Sequence, residues 1–154
     1  GNKKRPKWWV ISQNSANFAK PLHIFGKDRY RASMIYSISK TMEISACHRL
    51  ELSYESKCSR LHGHNWTITV YLATTEKNRD GMVEDFTHIK ERVHGFLDHG
   101  NLNELLPFNP TAENLAEWIV NSFAACYRAV VCESEGNVAQ AYDETFPIDG
   151  KFLL

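Results

Sequence analysis

His62-Gly63-His64-Asn65-Trp66-Thr67-Ile68-Thr69-Val70-Tyr71-Leu72, entered through Cys58-Ser59-Arg60-Leu61, is the stretch whose reading decides the fold. His62, His64, Trp66, Ile68, Val70 and Leu72 alternate with Asn65, Thr67, Thr69 and Tyr71, the period-2 pattern of a half-buried strand. Two histidines one residue apart on a strand point to the same side. Both imidazoles can therefore reach one metal ion, and Gly63 between them adds no side chain to crowd the backbone.

Upstream, a second strand is expected between Met34 and His48. Tyr36, Ile38, Met42, Ile44, Ala46 and His48 share one face, interrupted by Lys40, while Ser37, Ser39, Thr41, Glu43 and Ser45 take the other. A polar loop, Glu51 to Arg60, joins the two. An antiparallel neighbour brings His48 to the pair of histidines and makes a set of three. Three imidazoles with a fourth position open are typical of catalytic zinc, since structural sites are usually closed by four protein ligands. Isolated histidines mostly bind no metal, so the case rests on three of them occupying matching faces. Cys58 leaves two readings open. It is either the fourth ligand of a closed zinc site, or a free thiol in a polar loop, where Lys57 and Arg60 favour the thiolate that a nucleophile or general base needs.

Downstream of the turn Asn78-Arg79-Asp80-Gly81, the spacing of Phe86, Ile89, Val93, Phe96 and Leu97 predicts a helix capped by Asp85. A second helix is expected to open at Pro110-Thr111, with Leu115, Ala116, Ile119 and Phe123 as its apolar stripe and Trp118 at the border. Strands are expected at Tyr127 to Glu133 and Asn137 to Tyr142, joined by a turn at Glu135-Gly136. The expected fold class is α+β, a four-stranded antiparallel sheet with two helices on one face. Open sheet edges are often hidden by pairing between subunits, so a homo-oligomer is expected.

The chain has 154 residues, is 43% hydrophobic, and balances 18 basic against 18 acidic side chains. That balance excludes a global field drawing the protein to nucleic acid or to a membrane surface. No run of about 18 apolar residues predicts a membrane span, and the start lacks a signal peptide's apolar core. A cytoplasmic protein is expected. Residues 1–33 read as an N-terminal extension of unknown role, basic at Lys3, Lys4, Arg5 and Lys7, with Trp8-Trp9-Val10-Ile11 following; residues 34–154 read as a single domain. Basic termini are commonly just solvated, so nucleic-acid binding through Lys3 to Trp9 is the weakest reading. Of the four cysteines, Cys47, Cys126 and Cys132 sit in apolar or strand contexts and read as core residues.

Two further candidates carry chemistry. Asp98-His99 places a carboxylate beside an imidazole at a helix end, where the pair cooperates only if the backbone turns irregular. The alternative is a histidine held by the helix dipole. His88 and His94 are expected to be solvated. Glu133 ends the apolar run Ala129-Val130-Val131-Cys132. It either turns to water or meets a ligand with an N–H face, because a buried carboxylate needs donors.

Six ordered motifs resemble the family of 6-pyruvoyltetrahydropterin and 6-carboxytetrahydropterin synthases: Ser45-Ala46-Cys47-His48-Arg49-Leu50, Cys58-x-x-x-His62-Gly63-His64, Gly81-Met82-Val83-x-Asp85-Phe86, Asp98-His99-x-x-Leu102-Asn103, Pro110-Thr111-x-Glu113-Asn114-Leu115-Ala116 and Cys132-Glu133-Ser134. The resemblance covers Met34 to Tyr142. It implies a tunnelling fold (T-fold) whose subunits join edge to edge into trimeric barrels, two of which stack as a hexamer with active sites at subunit interfaces. It further implies zinc on His48, His62 and His64, a catalytic thiol at Cys58, a relay at Asp98 and His99, a pterin anchor at Glu133, and Glu113 near the pterin. The short spacing from Cys58 to His62 looks like the bacterial 6-carboxytetrahydropterin synthases of queuosine biosynthesis. The activity so implied converts 7,8-dihydroneopterin triphosphate to 6-carboxy-5,6,7,8-tetrahydropterin, acetaldehyde and triphosphate. The alternatives are the 6-pyruvoyl product, or a zinc-stabilised binding module without turnover. Residues 1–33 and the tail from Glu144 to Leu154 have no counterpart in the resemblance, and Gly100 is smaller than the residue expected after the relay.

Overall fold

Side-chain alternation in the first two strands becomes one long hairpin. A computed structural model describes residues 34–154; the basic, tryptophan-bearing start lies outside the described residues. Strand β1 (Tyr36–His48) and strand β2 (His62–Thr74) pair antiparallel without a break, from Tyr36 opposite Thr74 to His48 opposite His62. Strands β3 (Cys126–Ser134) and β4 (Asn137–Tyr142) complete a sheet in the order β1-β2-β3-β4. Gly136, at φ +83°, makes the tight turn between the last two.

Helices α1 (Phe86–Leu97), α2 (Leu102–Leu105) and α3 (Ala112–Asn121) lie between β2 and β3 in the chain. Asp85 starts α1 by accepting from the Thr87 N–H at 2.7 Å, and Thr111 starts α3 by accepting from the Asn114 N–H at 3.1 Å. Ile89, Val93 and Leu97 of α1 and Leu115, Ala116, Ile119 and Val120 of α3 share one core with Met42, Ile44, Ala46, Trp66, Ile68, Val70, Leu72, Ala129 and Val131. Both long helices thus cover the same face of the sheet, as expected. Each large apolar side chain buried there contributes about 1.5–3 kcal/mol relative to exposure.

The sheet covers a narrower stripe of α1 than its periodicity suggested. Phe86 and Phe96 are 49% and 43% exposed, and only the i, i+4, i+8 row is buried. Phe96 stacks instead on Trp118 of α3, with ring centroids 5.7 Å apart. Phe123 falls outside α3, which ends where Ser122 donates its hydroxyl to the Trp118 carbonyl, and packs against the core from the following loop. The single turn α2 had no periodic signal, being too short to show one. The tail after β4 covers a face rather than an edge. Phe146, Ile148 and Leu153 pack with Tyr71, Ala73 and Tyr127 in a second cluster, and the Tyr127 hydroxyl donates to the Leu154 carbonyl at 3.0 Å. Among the described residues, no helix is long and apolar enough to cross a membrane.

Candidate metal centre and active site

Regular strand geometry assembles the first group. His48 and His62 are direct partners in the hairpin register, and His64 lies opposite Ala46, so all three imidazoles emerge from the core face at the end of β1 and β2. Their ring centroids stand 4.6–5.3 Å apart, and one ligand atom from each lies within 4.8 Å of the others. Trp66, fully buried beneath them, packs with its ring near perpendicular to those of His48 and His64.

The ring orientations are fixed from behind. His48 Nδ1 lies 2.8 Å from the Pro110 carbonyl and His62 Nδ1 lies 2.7 Å from the Arg60 carbonyl. A carbonyl can only accept, so both rings carry their proton on Nδ1 and offer the Nε2 lone pair, the arrangement typical of metal-ligating histidines. Burial pushes His48 below its ordinary value of 6.5, its imidazole neighbours adding to that effect, while the Pro110 carbonyl and Glu133 pull the other way. A histidine held neutral is ready to ligate. The Nε2 atoms of His48 and His64 are buried without a hydrogen-bond partner, and such orphaned polar atoms call for an explanation. A metal ion among three imidazoles would supply one, and the donor set fits zinc.

The loop that follows β1 is clamped to α2 and to the loop before α3. Asn103 accepts from the Arg49 N–H and donates to the Arg49 carbonyl, both at 2.8 Å. Asn109 does the same to Glu51 at 3.0 Å. These paired amide bonds bring Pro110 against His48. Sequence reading had no means of finding them, because their partners are backbone groups more than fifty residues away.

Glu133 lies on the core-facing side of β3, with its side chain 25% exposed. Its Oε1 is 3.4 Å from His48 Nε2 and 3.8 Å from His64 Nε2. Cys58 sits in a 3-10 turn, Lys57–Ser59, capped by the Ser56 hydroxyl. It is exposed, and it is not part of the three-histidine group.

Asp98 and His99 form a separate group on the outer edge of β1. Asp98 leaves the helix in an extended conformation and His99 takes φ 57°, the irregular backbone the pair requires. The Ser45 N–H donates to Asp98 Oδ1 at 2.9 Å, the His99 N–H to the Ser45 carbonyl at 2.7 Å, and the Cys47 N–H to the Gly100 carbonyl at 3.0 Å. His99 Nδ1 donates to Asp98 Oδ2 at 2.8 Å. The Ser45 N–H, with the His99 ring second, holds the Asp98 carboxyl below the usual carboxylate range. His94, expected to be solvated, instead turns its Nε2 to within 3.6 Å of Asp98 Oδ2; one helical turn apart, the two share a face. His88 is exposed, 3.2 Å from Glu84.

Gly100 is small for a steric reason. A Cβ there would lie 2.5 Å from Leu105 Cδ1 and 3.0 Å from the Leu97 carbonyl oxygen. His99 and His64 line one open cleft of about 470 Å³ with Ser45, Cys47, Gly63 and Asn65. Glu113 is exposed in the first turn of α3 and is not drawn into either group.

Known proteins resemble this chain in sequence and fold. A 6-carboxy-5,6,7,8-tetrahydropterin synthase of Bacillus subtilis is 33% identical over 97 residues, which cover 58% of this chain and 66% of that protein, a little under two thirds of its length. The enzyme of the same name from Synechocystis is 38% identical over 94 residues, covering 55% of this chain and 72% of its own. A dihydroneopterin monophosphate aldolase of Pyrococcus furiosus is 36% identical over 92 residues, or 58% and 72% of the two chains. The solved structure of Caenorhabditis elegans 6-pyruvoyl tetrahydropterin synthase superposes with a TM-score of 0.57 at 25% identity, covering 72% of this chain and 97% of that one. The fold is the T-fold of these neighbours. The family profile described as 6-pyruvoyl tetrahydropterin synthase matches residues 37–144. That span holds essentially the whole sheet, its three helices and every candidate site residue, so the chain belongs to the 6-pyruvoyl tetrahydropterin synthase family.

Proposed function

We propose that this chain is a cytoplasmic, zinc-dependent 6-carboxy-5,6,7,8-tetrahydropterin synthase. It would convert 7,8-dihydroneopterin triphosphate and one water to 6-carboxy-5,6,7,8-tetrahydropterin, acetaldehyde and triphosphate, a lyase step toward queuosine and related 7-deazapurines. The observation that carries the metal part is the pair of buried, unpartnered Nε2 atoms on His48 and His64, with His62 completing a three-imidazole group. The names of the Bacillus and Synechocystis relatives and the three-residue gap between Cys58 and His62 support the choice of product.

Zinc held by His48, His62 and His64 would supply Lewis acidity toward the substrate's side-chain hydroxyls. Glu133 accepts two hydrogen bonds from the aminopyrimidine edge and so sets the ring in register. The Cys58 thiolate takes a proton from the side chain, and His99 Nε2 returns one, its ring oriented by the ionised Asp98 through Nδ1. Glu113 lies near the pterin. Within one chain the relay hangs on the outer edge of β1 with His99 83% exposed, a setting that calls for cover from a second copy. Pairing of the sheet edges into trimeric barrels stacked as a hexamer would provide it.

The family profile and the C. elegans neighbour both carry the 6-pyruvoyl name, which favours the pyruvoyl product as a second reading. Incubation with dihydroneopterin triphosphate separates the two by product mass. Acetaldehyde is expected; its absence beside a pyruvoyl product overturns the first reading. The zinc-stabilised module with Cys58 as fourth ligand is tested in the same assay. Cys58→Ala is expected to keep stoichiometric zinc and lose turnover, and a variant that loses its zinc would revive the module.

A further inference from the structure

Glu133 stands where an anion has no reason to stand unless a cation is close. Its Oε1 approaches the Nε2 atoms of His48 and His64 at 3.4 and 3.8 Å, yet neither nitrogen has a hydrogen-bond partner. His48 has committed its ring proton to the Pro110 carbonyl through Nδ1, so the neutral ring turns a lone pair toward the carboxylate oxygen. Lone pair against anion is repulsive in a partly buried setting. No lysine or arginine pairs with Glu133 among the described residues, where its two ion-pair contacts are these imidazoles.

The distances carry more information than the contact itself. Zinc ligands lie about 2.0–2.1 Å from the ion, so two donors of one tetrahedral site are about 3.3 Å apart. The His48–Glu133 separation of 3.4 Å is such an edge, and the 3.8 Å to His64 is the same edge slightly opened. The backbone gives Glu133 room to adjust. The β3–β4 register runs from Cys132 opposite Val138 to Ser134 opposite Asn137, leaving Glu133 at the irregularity between them. A bulge of this kind frees and re-aims a side chain.

From this geometry we propose that Glu133 is a fourth, displaceable ligand of the metal held by His48, His62 and His64, and that the N–H edge of an aminopyrimidine competes with the metal for the Glu133 carboxylate. The inference rests on the three-imidazole zinc reading and adds a coupling to it. At rest the carboxylate closes the coordination sphere. When the pterin edge offers two donors, the metal–carboxylate bond would be exchanged for two hydrogen bonds, and the vacated position would pass to the substrate's hydroxyls. Recognition of the ring thereby exposes the Lewis acid only when a pterin is present.

The test uses the full chain, loaded with zinc or substituted with cobalt(II), with no substrate added. Zinc affinity is measured by competition with a chromophoric chelator, and coordination by the visible absorption of cobalt. Glu133→Gln and Glu133→Asp are each expected to weaken zinc by about tenfold or more, comparable to other losses around metal sites, and to alter the cobalt spectrum. Their metal-free thermal unfolding should match the wild type. In the wild type, pterin itself, which has the aminopyrimidine edge but no side-chain hydroxyls, is expected to change the cobalt spectrum and lower zinc affinity. Unchanged affinity and superimposable spectra in the variants, or no response of the wild-type spectrum to bound pterin, overturn the proposal. A wild type that holds no zinc would instead sink the three-imidazole reading. One that holds zinc and turns over, but shows no dependence on Glu133, would sink this inference alone.

Discussion

The metal end of the hairpin and the outer edge of β1 both present histidine, in opposite settings. His48 is fully buried, its ring held by the Pro110 carbonyl and its neighbours supplied by strand register. His99 is 83% exposed at its side chain and carries a left-handed backbone, and its segment is tied to the outer edge of β1 by the Ser45 carbonyl and the Cys47 N–H. The first group has two of its rings held by backbone carbonyls; the second is anchored through its main chain and leaves the His99 ring exposed. A metal cage needs the former, since three lone pairs must converge, and a proton carrier needs the latter.

The largest expected effect breaks the metal end alone. His62→Ala should lower zinc affinity by more than about 100-fold, the upper range for losing only an outer-shell partner, and abolish turnover, read by metal analysis and product formation. Breaking the relay alone is next. Asp98→Asn should lower kcat by about 10²–10⁴, the range for general acid–base catalysis, with zinc content unchanged. A variant that also lost zinc would show the two regions are one structural unit.

Gly100→Ala sharpens the contrast further. The added methyl meets Leu105 and the Leu97 carbonyl, so urea unfolding should show a loss of about 1–3 kcal/mol, with kcat falling and zinc affinity unmoved. The smallest effect concerns His48 in the metal-free protein. Its folded-state value lies below 6.5, mainly through burial, so between that value and 6.5 the unfolded chain binds more protons than the folded one. Stability is then fully present above pH 6.5 and is lost as pH falls through the folded value. Unfolding curves above and below 6.5 should show this slope, and His48→Gln should flatten it; a variant that kept the full slope would assign it to another group.

Much of this was legible before any coordinates. The alternation in β1 and β2 specified the hairpin, its buried face and the convergence of His48, His62 and His64, because a strand's side-chain period is two and one register satisfies both apolar faces. Asp85 and Thr111 announced helix starts for an equally local reason. Asp98-His99 could be named but not built. The pair works through a backbone that no periodic pattern encodes, and Gly100 looked too small until Leu105 and Leu97 were seen against it. Cys58, open between ligand and free thiol from sequence, lies exposed in its 3-10 turn.

The sequence by itself determined the sheet, the faces of its strands and which imidazoles meet, since all of these follow from local periodicity repeated over thirteen-residue strands. Only the tertiary structure decided that Pro110 backs His48, that Asn103 and Asn109 clamp the adjoining loop, that Asp98 answers Ser45, and that Glu133 leans on two histidines. These contacts join residues some fifty or more positions apart through single backbone groups or a bulge. Their energy depends on where distant segments end up rather than on any pattern along the chain.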